Sequence, residues 1–70
     1  MGLFREAVDQ AMVKEFEKMG RKERRAFMKP QNLKNMRNLE RQFESAGQKK
    51  ELKEIRKAIR LYEAVKAGEL

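Results

Sequence analysis

The chain contains no histidine and no cysteine. The side chains that most often act as general base, nucleophile or transition-metal ligand near neutral pH are therefore missing. Carboxylates remain: Glu6, Asp9, Glu15, Glu17, Glu40, Glu44, Glu51 and Glu54 are interspersed with Lys and Arg, as on a solvated helix surface. No glycine-rich phosphate loop, metal-ligand spacing or nucleophile motif accompanies them. Catalysis, a cofactor and a metal are not expected. What the sequence offers in quantity is cationic hydrogen bonding, with 18 Lys and Arg against 11 Asp and Glu and a net charge of +7.

That charge is concentrated. Lys18 to Arg37 hold eight basic residues against Glu23, a net of +7, whereas Met1 to Glu17 sum to −2 and Asn38 to Leu70 to +2. Blocks of this kind commonly meet phosphate. Arg21, Lys22, Arg24, Arg25, Lys29, Lys34 and Arg37 are the candidate contacts. A second set lies further on, where Lys49, Lys53, Arg56, Lys57 and Arg60 project within one helical arc. Lys49–Lys53, Lys53–Lys57 and Arg56–Arg60 are like-charge pairs four residues apart. Each such pair opposes an isolated helix by about 0.2–0.5 kcal/mol. A polyanion would turn that repulsion into attraction by displacing counterions.

Between the two sets stand residues suited to reading bases. Lys34, Arg37, Asn38 and Arg41 project opposite Leu33, Met36, Leu39 and Phe43, with Asn35 and Gln42 on the flank. Arg, Lys, Asn and Gln match the donor and acceptor patterns of guanine and adenine in the major groove. Asn is also a poor helix former, so Asn35 and Asn38 in mid-helix cost stability. The Lys29-Pro30-Gln31 turn between a short helix and a longer polar one resembles a helix-turn-helix in outline, but lacks the usual turn glycine. The aromatics, Phe4, Phe16, Phe27, Phe43 and Tyr62, all fall at apolar positions. None interleaves with the basic stripe as a single-strand stacking platform requires.

These side chains must be positioned by helices. Apolar residues recur at steps of three and four, and no stretch alternates with period two. With Gly20, Pro30 and Gly47 as punctuation, the pattern predicts a single all-α domain of three to four helices over about 3–19, 21–28, 31–46 and 48–67. Gly20 is expected at the C′ position of the first helix, and Lys29, preceding proline, should end the second. In the first helix Glu15 projects into the arc of Val8, Ala11, Met12 and Met19, where it would reach the edge of the packed face or pair with a base of another helix. In the last, Leu52, Ile55, Ile59, Tyr62 and Lys66 trace a heptad seam too short for a free coiled coil. The seam should close an antiparallel hairpin on the third helix across Gly47. A monomer is expected, because +7 on each copy opposes association; a homodimer through the same seam is the alternative.

No apolar run approaches the roughly 18 residues of a membrane span, and Glu6 stands where a myristoylation signal wants Ser or Thr. A cytoplasmic, non-secreted protein is expected, with no membrane contact. The sequence thus predicts a small basic protein that contacts phosphates of duplex DNA or structured RNA through its second to fourth helices. The alternative is a regulator or inhibitor whose basic face docks on an acidic surface of a larger protein.

Overall fold

A computed structural model describes residues 8–70, in which the chain forms four α-helices and no strand. They are α1 (Gln10–Lys18), α2 (Arg21–Phe27), α3 (Pro30–Ala46) and α4 (Lys49–Lys66).

Among the described residues helix starts at Gln10, after a break at Val8 and Asp9 that the apolar spacing does not suggest. Asp9 has extended backbone (φ −68°, ψ 128°), and its Oδ1 accepts a 2.8 Å hydrogen bond from the Ala11 amide. It is an N-cap, which satisfies one of the four amides that a helix start leaves unpartnered. Val8 and Val13 occupy the flanking positions of a hydrophobic staple and are buried in one cluster. The 3–7 portion of the expected helix lies outside the described residues. With Val8 off the helix, the packed face of α1 rotates to Val13 and Phe16, and Glu15 is exposed.

Gly20 does not close α1. It has φ −70° and serves as the N-cap of α2, so no left-handed turn is formed there. Two carbonyls at the end of α1 are met by Arg24, whose Nε donates to Phe16 O at 3.2 Å, beside the Met19 amide at 3.1 Å, and whose Nη2 donates to Glu17 O at 2.6 Å. Gly47 does take the left-handed conformation, at φ 71°. The Gln48 amide donates to Phe43 O at 2.9 Å and the Gly47 amide to Glu44 O at 3.2 Å, a Schellman closure of α3.

Pro30 opens α3 at its first turn, where the missing N–H costs nothing. Only Met28 and Lys29 separate α2 from α3. Two side chains hold this connection: Asn32 Nδ2 donates to Phe27 O at 2.9 Å, and Tyr62 Oη donates to Met28 O at 3.0 Å. The expected antiparallel hairpin is formed by α3 and α4, the most extensive packing in the fold. Its direction is fixed by pairs that run in opposite senses along the two helices, Arg37 with Glu63 and Glu44 with Arg56.

The core has two lobes on two sides of α4. Met36, Ile59 and Tyr62 form one, with Leu33 and Ile55 against it; Val8, Val13, Phe16, Leu61 and Ala64 form the other. Phe27 touches both. Its ring lies 5.6 Å from Phe16 and 5.9 Å from Tyr62, both tilted, which joins the lobes through an aromatic chain. The seam is confirmed at Ile59 and Tyr62 and half-buried at Leu52 and Ile55, but Lys66 is exposed. Leu61 and Ala64, outside that seam, are buried because α1 covers a second side of α4. Leu39, assigned to the apolar face of α3, is 39% exposed.

Candidate functional site

The basic residues divide by what they touch. In α2, Arg21, Lys22, Arg24 and Arg25 are all exposed, but Arg24 also closes α1 and lays its guanidinium 5.2 Å from the centroid of the Phe16 ring. Arg24 is thus a tertiary strut made from two charge-assisted bonds and a cation–π contact. Sequence reasoning placed it among the contacts because charge alone cannot tell a strut from a free cation.

The outer face of α3 carries Gln31, Lys34, Asn35, Asn38, Arg41 and Gln42, all exposed and none acidic. Pro30, Gln31, Lys34, Asn35 and Asn38 line a shallow depression at its first two turns. Lys29 is exposed at the N-cap. The acids of α3 lie elsewhere. Glu40 and Glu44, one turn apart, face α4, where Arg56 Nε meets Glu40 Oε2 at 3.0 Å and Nη2 meets Glu44 Oε2 at 3.3 Å. Arg37 Nη2 meets Glu63 Oε1 at 3.0 Å on the same side. Together they form an ion-pair ladder across the hairpin. Its signal in the sequence was the i,i+4 spacing of Glu40 and Glu44, but their partner could be identified only once the register of α3 against α4 was known.

The arc on α4 is realised. Lys49, Lys53, Arg56, Lys57 and Arg60 line one shallow groove floored by Leu52. Lys57 is drawn to one edge, with Nζ 2.8 Å from Asp9 Oδ2. That hydrogen bond, followed by the Ala11 amide on the other oxygen, holds the Asp9 carboxyl below the usual aspartate range. Lys49 and Lys53 make no ion pair among the described residues. Both sit near the start of α4, where the helix dipole also disfavours cations and Gln48 makes no side-chain cap. The groove is contiguous with the ladder, since Arg56 and Arg60 also line the depression that Arg37, Glu40, Ile59 and Glu63 share between the helices.

On the opposite flank of the hairpin Leu39, Phe43 and Ile55 form a small apolar groove rimmed by Glu51 and Glu54. Among the described residues, no cluster of three or more His, Cys, Asp or Glu could hold a metal ion. No helix there is long and apolar enough to cross a membrane. The structure places Lys34, Asn38 and Arg41 together on one face and Lys49, Lys53, Arg56, Lys57 and Arg60 on another. It keeps Arg37 between them in the ladder and leaves the cations of α2 on a separate short helix.

Comparison with protein-family models, curated proteins and solved structures finds no match for this chain.

Proposed function

We propose that this protein binds nucleic acid, with the outer face of α3 as the reading surface and the arc of α4 supplying phosphate contacts. One observation carries the reading: the outer face of α3 is free of carboxylates, because Glu40 and Glu44 are turned toward α4 and bound to Arg56. A helix with both charges on a solvated surface would ordinarily intersperse them to gain i,i+4 attraction. Here the acids are drawn into the hairpin and the exposed remainder is Lys, Arg, Asn and Gln, the set that matches base edges and phosphates. The like-charge pairs of α4 fit the same reading, since counterion release on a polyanion offsets their repulsion.

A gel-shift titration of an arbitrary duplex at about 50 and about 200 mM salt tests it. Binding at low salt with a log–log slope of several units supports nucleic acid; no shift at low salt sinks the reading. Within it, Asn38→Ala or Arg41→Ala should relax preference at one base position by about 1–3 kcal/mol while nonspecific affinity persists. Uniform weakening would demote those side chains to phosphate contacts.

A second reading, docking of the basic face on an acidic surface of a larger protein, is favoured by Lys49 and Lys53, which are exposed and make no ion pair among the described residues, so that carboxylates of a partner could pair with them as phosphates would. It predicts weak, nonspecific binding to random polyanions and a stoichiometric protein complex.

A further inference from the structure

We propose that the groove of α4 holds a run of backbone phosphates and that Asp9 competes for it, keeping Lys57 until a phosphate takes the carboxylate's place. The inference rests on the nucleic-acid reading above and adds the regulation of one of its contact sites. Five cations line the groove: Lys49, Lys53, Arg56, Lys57 and Arg60. They are not equivalent. Lys49, Lys53 and Arg60 are exposed and make no ion pair among the described residues. Arg56 and Lys57 already carry carboxylates, Arg56 from α3 and Lys57 from the N-cap of α1.

Helical spacing sets out the unpaired three as a row. Lys49, Lys53 and Arg60 stand four and seven residues apart, which keeps them on one face. At about 1.5 Å per residue the row runs about 16 Å along the helix. The paired cations bound it on either side, Arg56 toward the carboxylates of α3 and Lys57 toward Asp9. Leu52, on the floor, brings no charge of its own. The intramolecular carboxylates thus reach the groove at its two edges and leave its middle to a ligand. A nucleic-acid strand carries its charges in sequence along a line, and a line of cations meets several of them at once.

The two edges differ in what an incoming phosphate must displace. Arg56 is held by two carboxylates, Nε by Glu40 at 3.0 Å and Nη2 by Glu44 at 3.3 Å, and it ties α3 to α4. Lys57 is held by one, with Nζ 2.8 Å from Asp9 Oδ2. The other oxygen of that carboxylate, Oδ1, accepts from the Ala11 amide at 2.8 Å. Lys57 can therefore leave Asp9 without uncapping α1. The Lys57 and Asp9 side chains are 31% and 28% exposed, a setting in which an ion pair adds little net stability. A lysine ammonium on its flexible stem also turns readily to a new acceptor. Arg56 is the fixed wall of the groove and Lys57 the exchangeable one. In the free protein Asp9 neutralises Lys57; on a polyanion a phosphate supplies that charge, and Lys57 joins the row as its fourth cation.

Fluorescence anisotropy with a DNA duplex of about 20 base pairs tests this through a double-mutant cycle, with circular dichroism as the control for fold. Asp9→Asn removes the charge and keeps the cap, because Asn caps a helix as well as Asp does. It should raise duplex affinity about fivefold, the most that releasing an exposed ion pair yields. Asp9→Ser, which caps through its hydroxyl, should repeat that gain. In a Lys57→Gln background Asp9→Asn should do no more than Glu51→Gln, which removes an exposed carboxylate on the far flank of the hairpin. Lys49→Gln/Lys53→Gln should lower the salt slope by about two. A gain from Asp9→Asn that is absent, or that is the same with and without Lys57, would overturn the competition while leaving nucleic-acid binding in place. An unchanged salt slope in Lys49→Gln/Lys53→Gln would take the phosphates out of the groove and overturn it as well. Failure of the parent protein to bind the duplex at low salt would remove both this inference and the nucleic-acid reading.

Discussion

The two halves of α4 have the same helical geometry and opposite fates. From Lys49 to Lys57 the helix buries one stripe, Leu52 and Ile55, each only half-covered by α3, and presents Lys, Arg and Glu around the rest. From Ala58 onward it is clasped between α3 and α1, with Ile59, Leu61, Tyr62 and Ala64 buried on adjoining sides. One half is a surface with a stripe of core; the other is core with a stripe of surface. The stability of the fold therefore resides at the C-terminal end of α4, and the charge available to a ligand resides at the N-terminal end. In so small a chain, with nothing covalent to staple it, that division lets the basic arc carry electrostatic strain without weakening the packing that holds it.

The contrast breaks most completely if charge is placed in the clasped half. Ile59→Asp puts a carboxylate between Met36 and Tyr62 and should abolish the cooperative thermal transition followed by circular dichroism. A folded but smaller species in sedimentation equilibrium would instead mean that Ile59 lies in a dimer interface. A matched pair of truncations measures the asymmetry directly. Leu61→Ala should cost about 2–5 kcal/mol in urea unfolding, whereas Leu52→Ala, half-buried in the first turn of the open half, should cost about 1 kcal/mol or less. Equal losses would refute the division.

Arg24→Gln probes how α1 is held against the clasped half. It removes the guanidinium's bonds to the Phe16 and Glu17 carbonyls together with the contact over the Phe16 ring, and should cost about 1–3 kcal/mol. A neutral result would return Arg24 to the set of free cations. Asp9→Asn addresses the tie between α1 and Lys57. Because the folded Asp9 carboxyl titrates below its usual range, its stabilisation is fully present above about pH 4 and is lost as the pH falls through its lowered value. Wild type should lose more stability than Asp9→Asn between pH 5 and pH 2, and parallel losses would show the tie to be inert. The smallest effect belongs to the open half. Lys49→Gln/Lys53→Gln should leave the melting temperature unchanged or slightly raised at low salt, by relief of about 0.2–0.5 kcal/mol per like-charge pair. A marked fall would mean that these lysines hold the fold together.

Much of this was legible in the chain itself. The period of Leu33, Met36 and Phe43, and of Leu52, Ile55, Ile59 and Tyr62, is enough to write two helices. Pro30 and Gly47 set their boundaries to within a residue, because fixed proline φ and left-handed glycine are local requirements. The cationic arc of α4 was legible for the same reason: residues four apart on a helix share a face wherever that helix is placed. The boundary at Asp9 was written too, as a capping aspartate between Val8 and Val13, but a run of apolar residues at helical spacing on both sides obscured it.

What the tertiary structure alone decided concerns pairs of residues far apart in the chain. Nothing in the sequence specifies that α1 covers a second side of α4 and buries Leu61 and Ala64, or that this leaves Glu15 in solvent. Nor does it distinguish Arg24, bound to backbone carbonyls at the end of α1, from Arg25 beside it, equally exposed but making no ion pair among the described residues. The pairing of Glu40 and Glu44 with Arg56, which clears the outer face of α3 of negative charge, depends on the register of the hairpin. Helical periodicity and turn chemistry act over a few residues and can be read in order along the chain. Burial and ion pairing depend on distances through space, and those exist only after the helices have packed.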